Sequence, residues 1–196
     1  EDGLHTYFSE DGTKQTEQYW KNGKLHGPLT AYDDNGKKEY TETYINQKNV
    51  GLCIRWNEKG KKIESGIGSH RYKNGLWTYW DDDGNKSKEG TYKNHKEHGS
   101  WTWFFDDGQI KNTGTYKNGK KDGEWILWYE NGQKRSLETY RNGRDNGLYK
   151  RWNNNGDNIL EGSYKNGKEN GKWTWWYDNG QKEAEKSFEN GKVIYV

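Results

Sequence analysis

Tyr116-Lys-Asn-Gly-Lys-Lys-Asp-Gly-Glu-Trp-Ile-Leu-Trp-Tyr-Glu-Asn-Gly132 returns two periods later as Tyr164-Lys-Asn-Gly-Lys-Glu-Asn-Gly-Lys-Trp-Thr-Trp-Trp-Tyr-Asp-Asn-Gly180. The period is 24 residues, marked by Gly3, Gly27, Gly51, Gly75, Gly99, Gly123, Gly147 and Gly171, and a second glycine follows each at nine residues. Self-similarity at a fixed period is the signature of a repeat architecture. An array of this kind extends a surface rather than enclosing a pocket, which favours binding over catalysis.

Within each unit, aromatic segments alternate with turn chemistry. Five residues after the periodic glycine stands an unbroken column: Phe8, Tyr32, Trp56, Trp80, Phe104, Trp128, Trp152 and Trp176. Seven residues before the glycine stands a second: Trp20, Tyr44, Tyr92, Tyr116, Tyr140, Tyr164 and Phe188, lapsing only at Gly68. Between them lie Asp-Gly or Asn-Gly pairs such as Asp83-Gly84 and Asn131-Gly132. Such pairs between β-prone runs predict a tight type I′ hairpin. The Lys-Asn-Gly-Lys-x-x-Gly segment reads as the longer turn. Each unit is therefore strand, tight turn, strand, longer turn, with no helical period anywhere. The expected fold is all-β, an elongated array of eight hairpin repeats in one twisted antiparallel sheet or solenoid. It forms a single repeat domain over residues 1–196, with a partial last strand at 188–196.

Composition agrees with a folded chain. Mean hydropathy is -1.54, a value common in disordered sequences, yet there are 12 Trp, 15 Tyr and 4 Phe. Each buried aromatic removes roughly 150–250 Å² from water, worth about 4–6 kcal/mol at ~25 cal/mol per Å². The 32 basic and 30 acidic residues are interleaved, without the basic patch of a nucleic-acid binder. No apolar run approaches the ~20 residues of a membrane span. Lone Cys53 excludes an internal disulfide framework. The chain opens in mid-repeat and lacks methionine, the pattern of a fragment or of upstream processing, and an extracytoplasmic location is favoured over the cytoplasm.

Side chains alternate faces along a strand. The invariant aromatic column predicts a packing spine. The opposite face varies between units, as a recognition surface would: Trp77, Tyr79, Trp101, Trp103, Phe105, Trp125, Tyr129, Tyr149, Trp173, Trp175 and Tyr177 are its candidate binding residues. His5, His26, His70, His95 and His98 show no metal-ligand spacing, and the recurrent carboxylates are explained by turn formation. No catalytic residue, metal or cofactor is expected. Gly66-Ile-Gly-Ser-His-Arg71 interrupts the fourth unit and predicts a bulge or a local contact site.

The two quoted segments resemble MORN repeats, specifically the bacterial variant found in YwqK-like proteins. The resemblance runs through essentially the whole chain, with units one, three and four fitting least. It implies a β-hairpin array serving as a non-enzymatic protein-interaction or structural scaffold. Bacterial members are commonly labelled antitoxins, so it also implies an immunity protein as an alternative. A rival similarity is to the aromatic cell-wall-binding repeats of Gram-positive surface proteins, which implies glycan binding. Finally, Val193, Ile194, Tyr195 and Val196 form an apolar strand, expected to self-associate or to pair with a partner's strand.

Overall fold

The computed structural model describes residues 2–194. Among them the secondary structure is entirely β, and the chain divides into two compact units at Lys96/Glu97. The first contains β1 (Gly3–Phe8), β2 (Lys14–Lys21), β3 (Lys24–Tyr32), β4 (Lys38–Ile45), β5 (Lys48–Asn49), β6 (Leu52–Trp56), β7 (Lys62–Gly68), β8 (Lys73–Trp80) and β9 (Lys86–Lys93). The second contains β10 (Lys96–Phe104), β11 (Ile110–Lys117), β12 (Lys120–Lys121), β13 (Gly123–Trp128), β14 (Lys134–Arg141), β15 (Arg144–Trp152), β16 (Asn158–Lys165), β17 (Lys168–Glu169), β18 (Gly171–Trp176), β19 (Lys182–Glu189) and β20 (Lys192–Ile194). Within each unit, successive strands pair antiparallel in a continuous meander.

The turns are the reverse of the sequence expectation. Lys-Asn-Gly-Lys is the two-residue hairpin: Lys117 pairs with Lys120 and Lys165 with Lys168, and both central residues are left-handed, as at Asn118 (φ 53°) and Gly119 (φ 79°). That is the type I′ requirement. In the Asn131-Gly132 turn only the glycine enters the left-handed region, at φ 82°. There Tyr129 N donates to Gln133 O at 2.9 Å and Gly132 N to Tyr129 O at 3.0 Å, a type I turn closed by a left-handed glycine. The acidic side chains recurring here accept from the turn amides, as Asp33 Oδ1 does from Asn35 N and Lys37 N.

The periodic glycine has its own cause. Gly123 adopts φ 93°, and a Cβ on it would lie 2.8 Å from Thr115 Oγ1. It takes up a break between β12 and β13, where Asp122 N donates back to Thr115 O at 2.9 Å. Repeats are then tied together along the type I′ turns. Gly143 N donates to Lys121 O, Gly167 N to Asp145 O and Gly191 N to Glu169 O, at 2.7–2.9 Å.

Burial inverts the face assignment. The core consists of Trp77, Trp101, Trp125 and Trp173, with Cys53 and Ala31. None of the expected spine residues is buried, and Phe8 is 58% exposed. The faces alternate as expected, but the buried one carries the residue two places after the periodic glycine. The register skips a residue just before each expected spine aromatic, as between Leu127 and Trp128. Trp128 therefore lies across from Lys134 on the outer face, a pairing repeated by Trp56 with Lys62 and Trp176 with Lys182.

Trp77, Trp125 and Trp173 each lie over a glycine of the neighbouring strand. A Cβ on Gly66 would sit 2.3 Å from Trp77, one on Gly114 2.2 Å from Trp125, and one on Gly162 2.1 Å from Trp173. The indole N–H donates to the carbonyl just after that glycine: Trp77 to Ile67 at 3.1 Å, Trp125 to Thr115 and Trp173 to Ser163 at 3.2 Å. Deleting such a side chain should cost about 3–5 kcal/mol. In urea unfolding, Trp125→Ala is expected to lose that much and Trp128→Ala clearly less. Gly114→Ala should destabilise by about 1–3 kcal/mol through overpacking. Equal losses at Trp125 and Trp128 would contradict this packing.

Candidate functional site

In the second unit the inner face is a ladder of rings. Tyr116 meets Trp125 edge-on at 5.0 Å and 90°, and Tyr164 meets Trp173 at 5.0 Å and 80°. Trp103 leans on Trp125 at 5.3 Å, and Tyr149 on Trp173 at 5.8 Å. The second aromatic column thus packs each Trp against the preceding hairpin. Of the candidate binding residues, Trp77, Trp101, Trp125 and Trp173 are structural and buried. Tyr79, Trp103, Phe105, Tyr129, Tyr149 and Trp175 are half-buried, and Tyr177 is exposed.

The first unit carries a different outer face. Leu52 and Ile67 are cross-strand partners, 48% and 51% exposed, and Leu76 on the next strand is 55% exposed. Leu4 opposite Tyr19 continues the apolar character. In the second unit the corresponding pairs are Ser100 with Thr115, Glu124 with Thr139, Leu148 with Ser163 and Lys172 with Ser187. The apolar stripe therefore belongs to the first unit. Beside the turns lies an open cleft of about 630 Å³, in which Trp56 is flanked by Asp33, Asn35, Arg55, Glu58 and Asp82.

Below that face is a polar cluster at the interrupted fourth unit. Glu42 and Cys53 are buried, and ligand atoms of Glu42, Cys53 and His70 lie within 4.8 Å of one another. His70 Nδ1 is 2.9 Å from Glu42 Oε1, and its ring lies 4.6 Å from Tyr40, tilted at 45°. The other carboxylate oxygen accepts from Tyr44 Oη and Asn49 Nδ2, both at 2.8 Å. Burial, reinforced by the neighbouring Glu42 and Glu64 charges, pushes the Cys53 thiol up to about 12. Glu64 is compensated separately by Lys73 and by Arg55. Sequence spacing missed this cluster because its members lie in three different strands and loops. What could have revealed it is the coincidence of irregularities: Cys53 in a column where four repeats have Trp, Glu42 in one where four have Gly, and Gly68 in one that is otherwise aromatic throughout.

The hairpin repeat described above is matched by a sequence profile, the MORN repeat variant, at residues 25–46, 73–94, 97–118, 121–142 and 169–190. These segments cover more than half of the chain. It belongs to the MORN repeat variant family. No curated protein matches it. Among solved structures, a GtfA/B complex bound to UDP and GlcNAc is similar at 13% identity and a TM-score of 0.28, over 59% of this chain and 22% of that one. A likeness so low carries no structural argument. Among the described residues, no helix is long and apolar enough to cross a membrane.

Several MORN-repeat tyrosines hold their protons tightly. Burial first, then a hydrogen bond to a carboxylate, raises Tyr44 and Tyr32 to about 12, and Tyr140 is raised for the same reasons. In the unfolded chain tyrosine ionises near ~10. Above that pH the unfolded state gives up protons that the folded state retains, so stability falls as pH rises between about 10 and 12. Ultraviolet titration should show delayed ionisation of a subset of tyrosines, accompanied by a falling Tm. Synchronous ionisation of all tyrosines near 10 would refute this.

Proposed function

We propose that this chain is a non-enzymatic scaffold that binds a protein partner through the outer face of its first unit. The observation supporting this reading is the stripe formed by Leu52, Ile67 and Leu76. Each is about half exposed, and they occupy three successive strands on the face opposite the packed indoles. Exposed apolar surface gathered in this way favours burial by a partner. The family supports it too, since hairpin repeats of this type present extended surfaces. Half-buried aromatics such as Trp103 and Trp175 and exposed Tyr177 are further candidate anchors. Neutralising a toxin would be one use of such a surface, read out by the identity of the protein bound. Val193 and Ile194 are exposed on β20, which pairs with β19. Self-association through that strand is part of the same proposal, while Tyr195 and Val196 lie outside the described residues.

A second reading, glycan binding, has one observation in its favour. Trp56 lies in a polar cleft among carboxylates, an amide and a guanidinium, the combination that stacks on a sugar ring and hydrogen-bonds its hydroxyls. Tryptophan fluorescence titrated with oligosaccharides separates the two readings, since only the glycan reading expects quenching that Trp56→Ala removes.

For the protein-partner reading, a Leu52→Lys/Leu76→Lys variant should keep its circular dichroism and lie within about 0.5 kcal/mol of the parent in stability. It should lose the partner cross-linked by the parent chain in its native source. Unchanged cross-linking would overturn the assignment of this face. In sedimentation, Ile194→Lys should leave the chain folded and abolish self-association. A parent chain that is monomeric at high concentration would exclude the terminal-strand contact.

A further inference from the structure

We propose that Glu42, Cys53 and His70 form a binding site for a divalent transition metal of the zinc class. This goes beyond the scaffold reading and stands apart from it. A thiolate, an imidazole and a carboxylate are the ligand types such a cation takes. Their donor atoms lie within 4.8 Å of one another, and tetrahedral bonds of ~2.0–2.3 Å would bring them to separations of about 3.4–3.6 Å. Small side-chain adjustments reach these separations, the His70 Nδ1 and Glu42 Oε1 pair opening slightly from 2.9 Å and the longer separations closing.

The surroundings favour a cation. Among the described residues, Glu42 has no Lys or Arg ion-pair partner. Its ion pair is with His70, whereas the nearby Glu64 is met by both Lys73 and Arg55. A buried carboxylate without a fixed positive charge is costly. Tyr44 and Asn49 hold Glu42 through Oε2, while Oε1 accepts from His70 N at 3.3 Å and faces His70 Nδ1 at 2.9 Å. Such outer hydrogen bonds are what orient a metal-binding carboxylate. Asn49 Oδ1 is itself buried without a hydrogen-bond partner among the described residues, a polar atom left over beside the cluster.

The repeat departs from its own rule at all of these positions together. Cys53 stands in the Trp position, where its smaller volume leaves room for the Glu42 side chain. Gly68 stands in the Tyr position, and the four-residue displacement that follows brings His70 to the cluster. Tyr149 opposite Glu138 also departs from Trp over Gly, but only at Cys53 does the departure coincide with the Gly68 interruption and with ligand-type side chains gathered together. The His70 side chain is 20% exposed, which gives an ion a way in and leaves a coordination position for water. Cys53 is 0% exposed, which excludes an attack on an external substrate and leaves a buried ligand role. On binding, the thiol proton passes to solvent and the cation takes its place, replacing the hydrogen bond between His70 and Glu42.

Cobalt(II) added to the reduced, metal-free chain should give one equivalent of tetrahedral visible absorption with a thiolate-to-cobalt charge-transfer band, displaced by zinc. Zinc should also raise the Tm, and magnesium should not. Cys53→Ser should remove the charge-transfer band, and His70→Ala should abolish stoichiometric binding. Asn49→Ala, which loosens the carboxylate, should weaken zinc on the order of 10-fold. If Cys53→Ser fails to fold, His70→Ala and the parent titration still decide. Absence of a cobalt band and of a zinc-dependent Tm in the folded parent overturns the site. A band that survives Cys53→Ser does so as well.

Discussion

The structure depends on a flat indole lying on a strand that has no side chain beneath it. In each of Trp77 over Gly66, Trp125 over Gly114 and Trp173 over Gly162, even a methyl group would fall within about 2.1–2.3 Å of the ring. The same contact satisfies the indole N–H with a carbonyl of that strand. One side chain thus removes a large apolar area from water and leaves no polar orphan. Both ends of the interaction must be present together, because a buried aromatic can be neither overpacked nor left with an unmade hydrogen bond without cost.

Where the indole is absent, the partner position changes with it. Cys53 and Tyr149 replace Trp, and the residues facing them are Glu42 and Glu138 rather than Gly. Glu138 sits opposite Tyr149, and its carboxylate accepts from Tyr140 Oη at 2.8 Å. Glu42 makes the equivalent bond to Tyr44 and one more to His70. The two glutamates differ in what surrounds them: only the first has a thiol and an imidazole within reach. Loss of an indole therefore opens a polar chamber, and the interruption at Gly68–His70 fills one such chamber with ligand-type side chains.

The period, the all-β character, the alternation of faces and the cross-repeat tyrosine column were legible in the sequence. Which face is buried was not. Invariance of the Phe8-to-Trp176 column looked like a packing demand, but those rings sit at a register skip on the outer face, where Trp128, Trp56 and Trp176 pair with Lys134, Lys62 and Lys182 and Lys62 Nζ lies 3.7 Å from the Trp80 ring. The decisive signal was smaller: glycine eleven residues before each core Trp, as at 66 and 77, 114 and 125, 162 and 173. The turns were exchanged for a related reason. Asn-Gly serves both kinds of hairpin, and the distinction lies in whether the asparagine is also left-handed, as at Asn118, or not, as at Asn131. The cluster at Glu42, Cys53 and His70 was hidden because its members are far apart in sequence and individually ordinary.

Among the described residues all strands belong to one sheet, and each repeat within a unit uses its neighbour as a cover. The tyrosine of one hairpin stands edge-on to the Trp of the next, and the backbone amide of each type I′ turn reaches the carbonyl of the hairpin before it. Stability is then a sum of neighbour terms rather than a property of a central core. Hairpins with Trp over Gly form the strong links. The link through Cys53 has a small side chain and a buried carboxylate in place of the ring, and so contributes less apolar burial to holding its neighbours together. A ligand drawn to Glu42, Cys53 and His70 would add cohesion at a point in the first unit that has no indole, joining β4, β6 and the β7–β8 connection by bonds.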